Sequence, residues 1–286
     1  SMAVKTGFKT RRLDFDIVIK IVLMDFTLKT YRLLLQTLLT KGYEFSSVEM
    51  LQSGNKKNKI VILRHDVDDI PQNSLRTAMI EHQLGISGTY YFRIVKQSFD
   101  VDIIGRIAAM GHEIGYHYED LALAKGDYVK ALKLFEKHLN QFAGLYDVKT
   151  ICMHGSPLSS FDNRLVWEKK HYSEFGIICE PYFDIDFSKV LYLTDTGRRW
   201  DGEKVSVRDK ELQTSYTPLS RSFNFRSTSD IIGAVQDGSL PERLMLNFHP
   251  QRWTDDLVLW SKELIWQGLK NQVKSVVVKR NSKIKI

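Results

Sequence analysis

Short runs rich in β-branched residues alternate with amphipathic helical patterns along the first half of the chain, and this alternation restricts the fold more than any other feature. The segment "FTLKTYRLLLQTLLTKG" repeats apolar residues at helical spacing, with Thr27 placed to cap it and Gly42 to stop it. The strand-like "KIVILRH" follows, then a helical pattern over 73–84 and the strand "GTYYFRI". A helix around 100–110, the strand "HEIGYH", a long helix over 125–142 and the strand "VKTICMH" continue the series. Strands that alternate with helices predict a parallel sheet or a β/α barrel. After residue 160 the rhythm loosens. "FGIICEPYF", "KVLYLTD" and "LMLNFHP" read as strands, helices are expected near 228–236 and 254–270, and long surface loops between Asp195 and Phe225. No repeat, low-complexity block or Pro/Gly/Ser-rich linker divides the chain, so one domain is expected over 24–270.

Composition narrows the class. An apolar fraction of 43% with 26% charged residues is that of an ordinary globular protein. Cys152 and Cys179 are too few for a disulfide framework and suit a reducing compartment. No apolar run approaches the ~20 residues of a transmembrane helix. "DIVIKIVLMDF" is broken by Lys20 and lacks a signal-peptide cleavage site, so a cytoplasmic location is expected. Ser1-Met2 reads as a cloning remnant, Met24 as a second start, and residues 1–23 as an N-terminal extension.

The net charge of +7 sits at the ends. Residues 1–12 hold four cations and no acid, and residues 270–286 hold six and no acid, which leaves 31 basic against 34 acidic residues in the body. A body of about −3 argues against nucleic acid as a partner. The basic tail over 271–286 is either simply solvated or loosely attracted to an anionic membrane surface.

Polar residues collect where the predicted strands finish. "LRHDVDD" ends its strand in Asp66 and Asp68, which lie two apart and therefore on one face of an extended chain. "HEIGYHYED" ends in His117, Glu119 and Asp120, "TICMHGSP" in His154, "LYLTDTGRRW" in Asp195 and "LMLNFHPQRW" in His249. Sites in parallel α/β proteins assemble at the carboxyl ends of strands. Imidazole and carboxylate are ligands for zinc or a similar divalent ion, a second carboxylate can act as base and a further histidine as acid, so metal-assisted hydrolysis fits this set. His112 and His117 are five apart and face opposite sides of a strand, which leaves His117 as the ligand and His112 as structural.

The segments "LRHDVDD", "GHEIGYHYED", "HGSP", "DTGRRW" and "NFHP" resemble the polysaccharide deacetylase family, the NodB-homology group of carbohydrate esterases. The likeness covers most of residues 25–270 and is strongest to divergent cytoplasmic members found with lipopolysaccharide O-antigen synthesis genes. It implies an irregular (β/α) barrel, a divalent metal held by one aspartate and two histidines, and removal of acetyl groups from sugars. Carried over by position, it implies Asp66 as general base and Asp68 as metal ligand. Val67 separates two aspartates that the family has adjacent, so these roles could be exchanged. His117 falls on the first metal histidine and His249 on the acid. The second metal histidine should come where this chain has Leu121, which leaves His154 to supply it or the site without a metal. The family's arginine-proline motif is not recognisable.

The expected activity is hydrolysis of the acyl group of an N-acylated sugar that is nucleotide- or lipid-linked. The expected metal is zinc, before cobalt, nickel or iron. Asp195, Arg198, Arg199 and Trp253 are expected to contact substrate, although a surface salt bridge accounts for the arginines equally well. The competing readings are a sugar-binding protein that lost its metal with Leu121, and metal-free glycoside cleavage by Asp66 and Asp195 across a cleft of ~5–10 Å.

Overall fold

The run Ile60–Val67 is apolar on both faces for its first half, the pattern of a strand covered on both sides, and in the computed structural model it is the fully buried central strand β2. The structure describes residues 24–52, 54, 59–156, 159–200 and 223–284, with side chains to 271; the expectations for residues 1–23 and for most of the 195–225 stretch lie outside them. The other strands are β1 (Glu44–Ser46), β3 (Thr89–Phe92), β4 (Glu113–Tyr118), β5 (Ile151–Met153), β6 (Leu191–Thr194) and β7 (Arg243–Phe248). All pair in parallel, in the order β5-β4-β3-β2-β7-β6, with β1 alongside the first half of β2. The sheet curls into an open half-barrel surrounded by helices, the irregular (β/α) barrel expected from the alternation.

Helices α1 (Leu28–Thr40), α3 (Pro71–Gln83), α4 (Val101–Ala109), α6 (Tyr128–Leu139) and α8 (Thr228–Asp237) are the longer crossovers, and α2 (Val48–Gln52), α5 (Asp120–Leu123) and α7 (Pro181–Asp184) are short. Thr27 caps α1 by accepting from the Thr30 N–H, as the sequence predicts. The last helix, α9 (Leu257–Ile284), runs well beyond the expected end at 270 and takes in the stretch read as a tail.

Ile62, Tyr91, Cys152, Tyr192 and Met245 of alternate strand positions form one apolar cluster, and two larger ones involve the long helices. One joins α1, β2, β6, β7 and α8 through Leu34, Leu63, Leu193, Leu246, Ile231 and Trp253. The other joins α3, α4, β3, β4 and α6 through Ala78, Ile104, Tyr116 and Phe135, and Leu121 belongs to it. The β3–β4 contact is close. A methyl group at Gly115 would overlap the Tyr91 ring, so a larger residue there must displace the tyrosine whose hydroxyl meets Thr150.

"FGIICEPYF" does not form the expected strand. Only Cys179 bridges Thr150, after which Glu180 accepts from the Tyr182 N–H and Pro181 opens α7. Proline at the first helical position and a capping carboxylate outweigh the β-branched run.

A candidate metal centre at the carboxyl edge of the sheet

Read across the carboxyl edge from β5 to β6, the chain presents His154, His117, Arg93, Asp66 with Asp68, His249 and Asp195 in succession. Parallel strands all deliver their last residues to the same edge, so residues far apart in sequence converge there.

Asp68 Oδ1 is buried, has no hydrogen-bond partner, and lies 3.6 Å from both His117 Nε2 and His154 Nε2. Each imidazole is fixed through its other nitrogen. His117 Nδ1 is 2.8 Å from the Cys152 carbonyl oxygen and His154 Nδ1 is 2.8 Å from Glu119 Oε2. A carbonyl or carboxylate can only accept, so both Nδ1 atoms carry the hydrogen and both Nε2 atoms present a lone pair toward Asp68. Ligands at zinc distances in a tetrahedron stand about 3.4 Å apart, close to the two separations between Asp68 and the imidazoles. Burial pushes His117 down to about 4, which keeps it a neutral donor, although Asp66 pulls the other way. Burial works against ionisation of Asp68, but His154, His249 and His117 outweigh it and hold its carboxyl below the usual range.

A second donor set overlaps the first: the ligand atoms of Asp66, His117 and Cys152 lie within 4.8 Å of one another. The two sets differ in what is free to ligate. Asp66 receives Arg64 Nε and Nη2 at 2.9 and 2.7 Å and Asn247 Nδ2 at 3.0 Å, which takes up three of its roughly four acceptor sites. Asp68 Oδ1 has no such partner. Leu121, where the resemblance puts the second metal histidine, is buried in the apolar cluster.

Asp66 stands 3.9 Å from His117 Nε2 through Oδ2. Burial alone would raise its pKa, but Arg64 foremost, then His117 and His249, hold it far below the carboxylate range. On the other side, His249 Nδ1 is 2.6 Å from Asp195 Oδ1, and its Nε2 faces Asp68 Oδ2 at 4.0 Å. Asp195 also accepts from the His249 N–H, Arg252 Nη1 and Trp253 Nε1. It is fully buried, as is Trp253, which packs on Phe26 and Phe248. Asp195 holds the His249 imidazole through Nδ1, and Trp253 Nε1 donates to Asp195. Arg198 is likewise drawn inward, donating to the Trp260 carbonyl oxygen with its guanidinium over the Phe26 and Trp260 rings, and Arg199 sits half-buried in the same turn. His112 is structural as expected, donating from Nε2 to the Ala78 carbonyl oxygen. His65, which faces away from Asp66, stacks on Tyr90 at 3.9 Å and meets the buried Glu81.

The surroundings are polar and strained. Arg64 Nη1, Asn247 Oδ1 and Gln251 Oε1 are buried without partners, a density of unmet groups that fits a site built to receive a polar ligand. Ile70 (φ 49°) and Ser156 (φ 37°) each follow a candidate ligand by two residues and adopt positive φ, which is costly for non-glycine side chains and clusters at functional sites. Beside His154, a cavity of about 530 Å³ is lined by Arg93, Glu119, Leu123, Ser156, Ser159 and Phe161, within the size range of small-molecule sites.

Sequence reading alone missed Arg64, Asn247 and Cys152 as site residues and gave Glu119 only as a strand-end acid. Arg64 had a signal, since it lies two residues before Asp66 and so on the same strand face. Asn247 is its partner in the β2–β7 register, two before His249.

No family model and no curated relative matches this sequence. Among solved structures, the chain is similar to a Streptococcus mutans CE4 esterase at 16% identity, covering 85% of this chain and 91% of that one with a TM-score of 0.38. It is similar to a Streptococcus pyogenes deacetylase solved with acetate at 17% identity, over 48% of this chain and 66% of that one, TM-score 0.38. A CE4 family pseudoenzyme from Bacillus anthracis aligns at 15% identity over 76% of this chain and 62% of that one, TM-score 0.39.

Proposed function

We propose that this chain is a metal-dependent hydrolase that removes the acyl group of an N-acylated sugar. The observation that carries the reading is the convergence of the unpartnered Asp68 Oδ1 with the two Nε2 atoms of His117 and His154, flanked by an anchored carboxylate and an anchored imidazole. A divalent ion held by Asp68, His117 and His154 would polarise the acyl carbonyl and ease deprotonation of water. Asp66, kept ionised and oriented by Arg64 and Asn247, takes the proton of the attacking water. His249, whose Nδ1 hydrogen is fixed on Asp195, gives a proton from Nε2 to the departing nitrogen. The C–N bond breaks as the C–O bond forms, and the products are the amine and the free carboxylate. This division keeps Asp66 as base and Asp68 as ligand.

Zinc is the first candidate, since two imidazoles and one carboxylate suit it. Among the described residues no helix is long and apolar enough to cross a membrane. With the resemblance to members found beside O-antigen synthesis genes, this supports a cytoplasmic enzyme acting on nucleotide- or lipid-linked sugars of a surface polysaccharide.

Purified chain prepared without chelator and assayed for acetate release from acetylated amino sugars tests the reading. Stoichiometric metal, lost in His117→Ala and His154→Ala, together with activity lost by a factor of ~10² or more in His249→Ala, is expected. Absence of metal under every loading condition would instead identify a sugar-binding protein.

A further inference from the structure

The last helix leaves most of its apolar residues between Leu257 and Leu269 exposed. The residues of α9 that meet the body are Trp260, Glu263, Gln267 and Asn271, a mostly polar row. Trp260 Nε1 donates to the Asp25 carbonyl oxygen at 2.8 Å and Asn271 Nδ2 to the Gly197 carbonyl oxygen at 2.9 Å. Gln267, between them, is buried. At about 100° per residue, the opposite side of the helix carries Val258, Ile265 and Leu269 within an arc of about 40°. These are 62%, 66% and 53% exposed, and Trp266 beside them is 54% exposed. A helix that packs its polar row and turns its apolar row outward leaves that row unsatisfied.

The charges next to this row have one sign. Lys262 borders it and Lys270 lies beyond Trp266, with Nζ 5.0 Å from that ring's centre, and both are exposed. Glu263, the only acid between Leu257 and the chain end, belongs to the row turned to the body. From residue 270 onward there are six cations and no acid, and the helix continues through that stretch to Ile284. We infer that the outer face of α9 is a docking surface for an anionic lipid membrane, with Val258, Ile265, Leu269 and Trp266 entering the headgroup boundary and the lysines meeting the lipid charges. Charge complementarity decides the occupant. A second copy of this chain would set like charges against each other along the helix, whereas an anionic bilayer satisfies the apolar row and the cations together. The inference does not depend on the proposed activity.

Co-sedimentation of the whole chain with vesicles of phosphatidylcholine, with and without phosphatidylglycerol, tests it. Binding to the anionic vesicles is expected to exceed binding to neutral ones by at least about tenfold and to fall as salt is raised. The triple variant Val258→Ser, Ile265→Ser, Leu269→Ser should lose at least about tenfold in affinity, as three exposed apolar side chains no longer enter the boundary. Lys262→Glu with Lys270→Glu should lose on the order of tenfold or more. The substituted side chains are solvent-exposed, so unchanged near-UV circular dichroism and melting temperature are expected in both variants. Equal binding to neutral and anionic vesicles, or undiminished binding by the folded triple variant, overturns the inference. So does a wild-type dimer that the triple substitution dissociates with no vesicle binding by either form, which would assign the face to a second copy.

Discussion

Glu119 never enters the space between Asp68, His117 and His154, yet it fixes one of its walls. Its Oε2 accepts from His154 Nδ1 while Arg93 donates to Oε1 from Nε and Nη2. Burial would raise its pKa, but the His154 hydrogen bond and Arg93 bring it down to about 2, so it is a charged acceptor throughout the neutral range. A charged acceptor on Nδ1 raises the basicity of Nε2 and sets the ring orientation. Glu119→Gln keeps the shape and removes the charge, and should weaken metal binding ~10–100-fold without altering the fold. A competition titration against a chromophoric chelator reads this, and unchanged affinity in the folded variant would show that Glu119 does not tune His154. The residue was visible in the sequence as a strand-end acid, but not its role. Its partner lies 35 residues on, and only the β4–β5 pairing brings the two together.

At the scale of elements, what the sequence showed and what it hid have separate causes. The helices with strong periodicity and a cap, α1 and α8, fall where the pattern puts them, since both signals are local. The "FGIICEPYF" segment failed because its outcome hangs on Glu180, which looked like any loop acid. In the structure Glu180 is fully buried and accepts from the Met153 and Tyr182 N–H groups, tying α7 to β5. Burial pushes it up to about 7, against the opposing hydrogen bonds and Arg64. Between about 4.5 and 7 the folded chain therefore holds a proton that the unfolded chain has released. The contribution of Glu180 to stability is full below about pH 4.5, declines by at most about 1.4 kcal/mol per pH unit as pH rises, and is gone above about 7. Urea unfolding of wild type and Glu180→Gln across this window should show the wild type losing stability relative to the variant as pH rises. A constant difference between the two would rule this out.

For the whole molecule, the alternation of strands and helices was enough to predict a parallel sheet with its chemistry at the carboxyl edge, because handedness and parallel pairing leave few ways to arrange such a series. The order of strands was not legible, and the site depends on it. His117 and His154 each come within 3.6 Å of Asp68 only because β2, β4 and β5 lie on one side of the sheet, with β3 between β2 and β4. A metal ion bound there would clamp three separate strand ends and bind the folded chain in preference to the unfolded one. At a free metal concentration about a hundredfold above Kd this adds about 2.7 kcal/mol of stability, a rise in Tm of roughly 5 °C for a chain of this size. The same measurement separates the two donor sets. If Asp68, His117 and His154 hold the ion, His154→Ala should abolish the zinc-dependent rise in Tm while Cys152→Ser keeps it. If Asp66, His117 and Cys152 hold it, the pattern reverses, because Cys152 is then a ligand and His154 is not.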